Sequence, residues 1–269
     1  LTLFGLVPAA LMGVDVEKLL DRARQAARRC SATMATADNA ALRLGAAMGK
    51  HAAKGQDKMT LLLSPAIAAL GLWIEQLVAE STGKEAKGIL PVYDEPTLKQ
   101  DFGRDRLFIC LELEGQPAIE PPAGHPVLAL KLKDEYDLGA QFFLWEMATA
   151  AAGFLLAVDP FDQPDVQAAK DQTKALLNDL VKGQLPAEKP DFNAGGLAAF
   201  CDKPLAKTLA EPGQTTPNKP LAEALSSHWS RLKAGDYAVI LAFIDPNDEN
   251  RRSLSELQRR LRKLTQAPV

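Results

Sequence analysis

Two short stretches carry side chains able to move a proton on a small polar substrate. In the first, AESTGKEAKG, Glu80 is followed by Ser81, Thr82, Gly83 and Lys84. It sits where a helix meets its exit, with Gly83 suited to a left-handed cap position. Near a helix C-terminus the macrodipole disfavours a carboxylate anion and tends to raise its pKa, which suits a base that abstracts a proton. A plain capped helix end with a solvated Glu would carry the same residues. The second stretch is PFDQPDVQAAK, Pro160 to Lys170. Pro164 suits the first turn of a helix and Asp162 could cap it, which sets Gln163, Gln167 and Lys170 on nearby turns of one face. That face offers amide donors, acceptors and one cation, equipment for holding a polyhydroxylated, anionic small molecule. An ordinary solvated helix start accounts for it equally well.

Other chemistries lack their signatures. The sequence contains no G-x-G-x-x-G, G-x-x-x-x-G-K-[ST], G-x-S-x-G or H-E-x-x-H, so dinucleotide, P-loop, hydrolase-elbow and zincin readings lose their support. His51, His125 and His228 are scattered without metal-ligand spacing, and no metal is expected. His125, between Gly124 and Pro126, is the hardest of the three to set aside as structural. The three cysteines, Cys30, Cys110 and Cys201, are far apart and form no C-x-x-C pair, which fits a reducing cytoplasm. A formal net charge of −3 provides no global basic field for nucleic acid or an acidic membrane, so an anionic ligand must be held locally. The basic run from Arg251 to Lys263 reads as a solvated helix face.

The elements that must position these motifs follow from periodicity. The 269 residues, 47% hydrophobic and 24% charged, suffice for one large domain or two modest ones. The apolar opening LTLFGLVPAALMG is shorter than the roughly 20 residues of a membrane span and reads as a core helix. From the N-cap Asp15, apolar residues recur at helical spacing from Val16 to Cys30, and a second helix is expected around Ala40 to Lys54. DKMTLLLSP reads as a buried strand, and the following stretch places Ile67, Leu70, Trp73, Ile74 and Leu77 on one side of a helix that runs into Glu80. GILPVY, RLFICLEL and HPVLALKL read as strands, and Leu138 to Val158 as a helix apolar nearly all round. This alternation predicts an α/β fold with a mostly parallel sheet covered on both faces, whose ligands sit beyond the carboxyl ends of the strands. Gly183 to Pro220 reads as a long connection. After it come a short helix, a strand at DYAVILAFID, and a helix opened by a capping box from Ser253 to Glu256.

Taken together, ESTGK and FDQPDVQAAK resemble the phosphoglucose (glucose-6-phosphate) isomerase family, whose Glu-Ser-Asn/Thr-Gly-Lys motif carries the catalytic base and whose second signature reads Phe-Asp-Gln-x-x-Val-x-x-x-Lys. LTLFGLVPAALMGVD and LLLSPAIAALGLWIEQLVAESTGKEAKGILPV are similar to the isomerase part of the bifunctional transaldolase/phosphoglucose isomerases, and the likeness extends from Leu1 to about Lys182. The resemblance implies doubly wound α/β sugar-isomerase (SIS) domains. Residues 1–53 would end a first SIS domain, 54–182 form a second with both motifs, and 183–269 make a linker and a terminal α/β element.

It also implies roles. Glu80 matches the base, and Lys170 the lysine associated with ring opening and the substrate oxygens. Gln163 matches a glutamine near the phosphate, and Ser81, Thr82, Gly83 and Lys84 lie in the substrate-binding motif. The implied reaction interconverts glucose 6-phosphate and fructose 6-phosphate through a cis-enediol, without metal or redox cofactor. The setting would be a cytoplasmic, commonly dimeric enzyme of glycolysis and gluconeogenesis, fused in the bifunctional case to the transaldolase of the pentose phosphate pathway.

Some of the family's parts have no match. Its Gly-Gly-Arg-aromatic-Ser stretch and phosphate loop would precede Leu1, a histidine-rich tail segment would follow Val269, and no Gly-Gln-His follows PVYDEP. The expectation is therefore a piece of a longer protein, with ring opening unassigned. The competing expectation is a non-catalytic SIS module that senses a sugar phosphate.

Overall fold

A computed structural model describes residues 2–95, 102–162, 164–184, 189–194, 197–202, 225–265 and 267. The chain divides mainly into two units, Leu1–Gln163 and Pro164–Ala267.

In the first unit, three helices precede the sheet: α1 (Leu3–Leu11), α2 (Val16–Arg29) and α3 (Ala40–Ala53). The predicted cap of α2 is present, with Asp15 Oδ1 accepting from Lys18 N at 3.0 Å. Buried Asn39 joins α2 to α3, since its Oδ1 accepts from Leu42 N while its Nδ2 donates to Cys30 O. The opening helix forms as expected, but none of its residues is buried, and Leu3, Phe4, Leu11 and Met12 are exposed. Apolar composition favours burial only where a partner surface closes over it, and among the described residues none closes over α1.

The sheet strands are β1 (Lys58–Leu63), β2 (Leu90–Tyr93), β3 (Arg106–Leu113) and β4 (Val127–Leu132), in the order β2-β1-β3-β4 and parallel throughout. The chain winds outward from β1 in both directions, the doubly wound α/β pattern expected from sequence. Between strands and after them run α4 (Leu70–Thr82) and α5 (Leu138–Leu156). Strand alternation sorts the core. Met59, Leu61, Leu107, Ile109 and Leu111 join one cluster with Leu44 and Met48 of α3, Ile74 and Val78 of α4, and Trp145 and Ala148 of α5. Phe108, of opposite parity, meets Phe102 and His125 edge-on instead. Among the described residues connecting segments cover that face at Phe108, whereas β4 leaves Val127, Ala129 and Lys131 exposed on it, so the expected cover on both faces is only partial.

Taken by itself, the second unit contains α6 (Pro164–Val181), an antiparallel pair β5 (Phe192–Ala194) and β6 (Leu197–Ala199), a helical turn over 225–229, and α7 (Asp248–Thr265). Two expectations are corrected here. DYAVILAFID forms no strand, and Val239, Leu241 and Phe243 are exposed. A strand exists only as one side of a ladder, and no described strand pairs with this segment. The final helix starts before the capping box, at Asp248, where Asn247 Oδ1 accepts from Asn250 N at 2.9 Å. Glu256 pairs with Arg259 and Arg260 rather than reaching back to a cap. Among the described residues no helix is long and apolar enough to cross a membrane.

The α3–α5 crossing depends on Gly45, where an added Cβ would overlap the backbone carbonyl of Ala148. Gly45→Ala should therefore cost about 1–3 kcal/mol through forced separation of the helices, read as a lowered denaturant midpoint. Gly5→Ala in α1, where a Cβ meets nothing within 4 Å, should cost nothing.

Candidate functional site

The base-bearing helix is held from one side. Ile74 and Val78 of α4 are buried, Trp73 meets Phe142 of α5 edge-on at 4.8 Å, and Gly71 lets the Tyr93 ring lie against the helix. Glu80 lies on the exposed side of the last turn, where its Oε1 accepts from Gln76 Nε2 at 3.1 Å. The location differs from the general rule for ligand sites. α4 leaves the carboxyl end of β1 and returns to start β2, whose Leu90 pairs with Lys58 at the amino end of β1. The ESTGK loop therefore lies at the amino edge of the sheet.

Gly83 is not left-handed. Its φ of −75° and ψ of 70° form an inverse γ-turn, closed by Lys84 N donating to Thr82 O at 2.9 Å. Glycine is required there for closeness, because a Cβ would stand 2.8 Å from Ala79 O. The left-handed residues come later, at Glu85 and Ala86, with φ of 55° and 57°. They are the central pair of a turn closed by Lys87 N donating to Lys84 O, the type I′ pattern that usually holds Asn and Gly. Each non-glycine residue there costs roughly 1–2 kcal/mol.

Three side chains hold this turn. The buried Thr82 hydroxyl donates to Val78 O at 2.8 Å and accepts from Ile89 N at 3.0 Å, closing the loop on itself. The buried Lys84 ammonium donates to Asp159 O, to Asp162 O and, at 2.7 Å, to Asp162 Oδ1. Lys87 Nζ donates to Ala157 O at 3.2 Å. Ala157 is the left-handed residue of a Schellman ending of α5, in which Val158 N bonds Gly153 O and Ala157 N bonds Phe154 O. The next turn is preset by Asp159 Oδ1, which accepts from Phe161 N at 2.9 Å.

The sequence-derived residues thus fall into groups. Glu80, Ser81 and Gly83 stand on the open side of the loop, whereas the polar groups of Thr82 and Lys84 turn inward to protein acceptors. Pro164 begins α6 as predicted, but Asp162 receives Lys84 rather than standing as a simple helix cap. Lys170 is exposed on α6 in the second unit, one residue before Asp171, whose Oδ1 accepts from Gln167 Nε2. Gln163 lies outside the described residues. Sequence reasoning did not single out Asp159 or Lys87. The available signal was two lysines directly after a helix end, the residue type that bonds terminal carbonyls.

Other parts of the first unit have different electrostatics. A hollow of about 670 Å³ opens beside the carboxyl ends of β1 and β2 and includes Tyr93, Asp94, Glu95 and Glu120 in its lining. Burial pushes the Glu75 carboxyl up, and burial with the Asp94 and Glu75 charges pushes up the Tyr93 phenol. The Glu95 charge is matched by buried Arg106, whose Nη1 donates to Glu95 Oε2 at 2.7 Å, so Asp94 and Glu120 are the carboxylates that repel a phosphate dianion there. Burial first, then the Arg106 charge, lowers the His125 pKa, so its imidazole stays neutral at physiological pH. Burial, then Glu112, pushes the Cys110 thiol up to about 11, which leaves it protonated and unreactive. No group of three or more His, Cys, Asp or Glu among the described residues is placed to hold a metal ion.

Comparison with known proteins extends the motif resemblance along the chain. A glucose-6-phosphate isomerase of Heliobacterium modesticaldum is 29% identical over 224 residues, covering 66% of this chain and 50% of the relative. Those of Exiguobacterium sibiricum, at 30% over 240 residues, and Enterococcus faecalis, at 27% over 223, cover 72% and 66% of this chain and 53% and 50% of their own. The chain spans about half the length of the curated relatives it matches, and the resemblance to glucose-6-phosphate isomerases runs over most of it. A solved structure of a hypothetical protein from Thermus thermophilus shares the fold, with a TM-score of 0.56 at 22% identity, covering 65% of this chain and 54% of that one. No family model matches.

Thr82→Val keeps the side-chain shape but leaves the Ile89 amide without its acceptor. It should cost about 1–3 kcal/mol, measured by denaturant unfolding, and Thr82→Ser should recover most of the loss.

Proposed function

We propose, from a similarity to glucose-6-phosphate isomerases that covers most of the chain, that this protein is the part of such an enzyme carrying the proton-transfer base. The observation behind the reading is that ESTGK and FDQPDVQAAK occur in order in a chain most of which is similar to glucose-6-phosphate isomerases, with Glu80 exposed at a helix end.

The reaction is aldose–ketose isomerisation. Once the sugar ring is open, the Glu80 carboxylate takes the proton from C2. The electron pair left behind forms the C1–C2 double bond of a cis-enediol as the C1 carbonyl oxygen takes up a proton. The C2 hydroxyl then gives up its proton to become the ketone, and the double-bond electrons take the proton back from the same carboxyl at C1. A carboxylate within hydrogen-bond reach is the base this chemistry needs, and a fixed cation stabilises oxygen charge as the enediolate forms. By the resemblance, Lys170 supplies that cation and takes part in ring opening, and Gln163 binds near the phosphate. Ser81 and Gly83 border the substrate on the open side of the loop. Thr82 and Lys84, also in the motif, serve it by shaping the loop.

The same reading assigns residues 1–53 to the end of one SIS domain, 54–182 to a second and 183–269 to a linker with a terminal element. Glucose 6-phosphate and fructose 6-phosphate are the substrates, in a cytoplasmic, dimeric enzyme of glycolysis and gluconeogenesis. In the bifunctional form a transaldolase lies upstream.

In the full-length protein, Glu80→Gln should abolish solvent deuterium incorporation at C2 of the sugar phosphate, with turnover lower by orders of magnitude and the fold retained. Wild-type-like exchange in that variant would remove Glu80 as the base. Lys170→Ala should lower turnover less. Sugar-phosphate binding without exchange in the unaltered protein would identify a sensor module instead.

A further inference from the structure

The last residue of ESTGK has a geometry that its place in a binding motif does not explain. The Lys84 side chain is 7% exposed, and its ammonium has three donors with three acceptors around it, all on the segment that follows α5. Nothing is left over for a ligand. The half-exposed Asp162 contributes the single charged acceptor, and two backbone carbonyls contribute the others. A buried ammonium is tolerated only when so matched, so the contact fixes both partners. On one side of it, four residues away, is Glu80. On the other, adjacent to Asp162, is Gln163.

Resting on the isomerase reading above, we infer that Lys84 is a positioning residue: its ammonium cross-links the exit of α4 to the Asp159–Asp162 turn and so sets where the Glu80 carboxylate stands relative to the substrate. The strain in the loop requires such a tie. Glu85 and Ala86 hold left-handed φ values without being glycine, so the turn relaxes unless it is pinned. The pins are Lys84 on one end and Lys87, bound to Ala157 O, on the other. A displacement of about 1 Å in a reacting group is worth up to about 100-fold in rate. That is the route by which a residue that never touches the sugar controls its turnover.

A direct ligand and a positioning residue separate by which parameter changes. In the full-length protein, Lys84→Met keeps the stem and removes the ammonium. It should lower kcat by about 10- to 100-fold while the Kd for a non-isomerisable sugar-alcohol phosphate stays within about 2-fold of wild type. Asp162→Asn should lower kcat in the same direction, and the double variant should be no worse than Lys84→Met alone, the coupling expected of groups in contact. Lys84→Arg should not restore the rate, because a planar guanidinium cannot meet three acceptors arranged for an ammonium. An unchanged kcat in Lys84→Met, or a weakened Kd with kcat retained, overturns the proposal. Where Lys84→Met fails to fold, Asp162→Asn decides it, and an unchanged kcat there overturns it. Amide hydrogen exchange gives a readout independent of activity. Protection at residues 81–89 and 158–162 should fall together in either variant, and if it does not, the tie is absent. If the unaltered protein exchanges no C2 proton, the isomerase reading fails and amide exchange still reports on the tie.

Discussion

The amino edge of the sheet is organised around one ammonium in a nearly closed shell of oxygen. Both α4 and α5 end there, and each presents the negative end of its dipole to the same small region. Two negative helix ends brought together repel unless something positive lies between them. Lys84 and Lys87 fill that role from a single short turn, one bonded to the Asp159–Asp162 segment and the other to the last left-handed residue of α5. The loop is strained at Glu85 and Ala86, so the cations and the turn stabilise each other.

The rest of the first unit fixes where those helix ends fall. β1 is the central strand on which β2 and β3 both align, and the odd-numbered residues of β1 and β3 share a core with α3, α4 and α5. Ile74 and Val78 set the rotation of α4, which leaves Glu80 outward and Thr82 inward only two residues apart. The close crossing at Gly45 sets the depth of α5. Site geometry is inherited from packing well away from it.

What could be read from the sequence was whatever depends on near neighbours. Asp15 as a cap, the four strands, α3 and the run into Glu80 all follow from spacing, since periodicity and caps are local matters. Three readings failed, one on a close local approach and two where the outcome depended on partners elsewhere in the chain. Gly83 was assigned a left-handed cap because glycine permits one, but the loop uses its lack of a side chain to approach Ala79. DYAVILAFID has strand composition but no ladder, and the opening helix has core composition but no described surface that closes over it. The Lys84 contact spans more than seventy residues of chain, so no window of sequence could contain it. Only the motif resemblance pointed to that lysine, and it gave no hint that the side chain turns inward.

The make-up of the oxygen shell determines how the solvent can act on it. Of the three contacts to Lys84, two are to main-chain carbonyls, dipoles that carry no net charge for ions to screen, and one is to a carboxylate whose side chain is 53% exposed. With a Debye length of about 8 Å at physiological ionic strength and about 3 Å in molar salt, the 2.7 Å carboxylate contact lies inside the screening distance, so added electrolyte weakens it only slightly and the carbonyl contacts less still. The junction should therefore slacken only a little in brine, keeping its shape across a wide range of salinity.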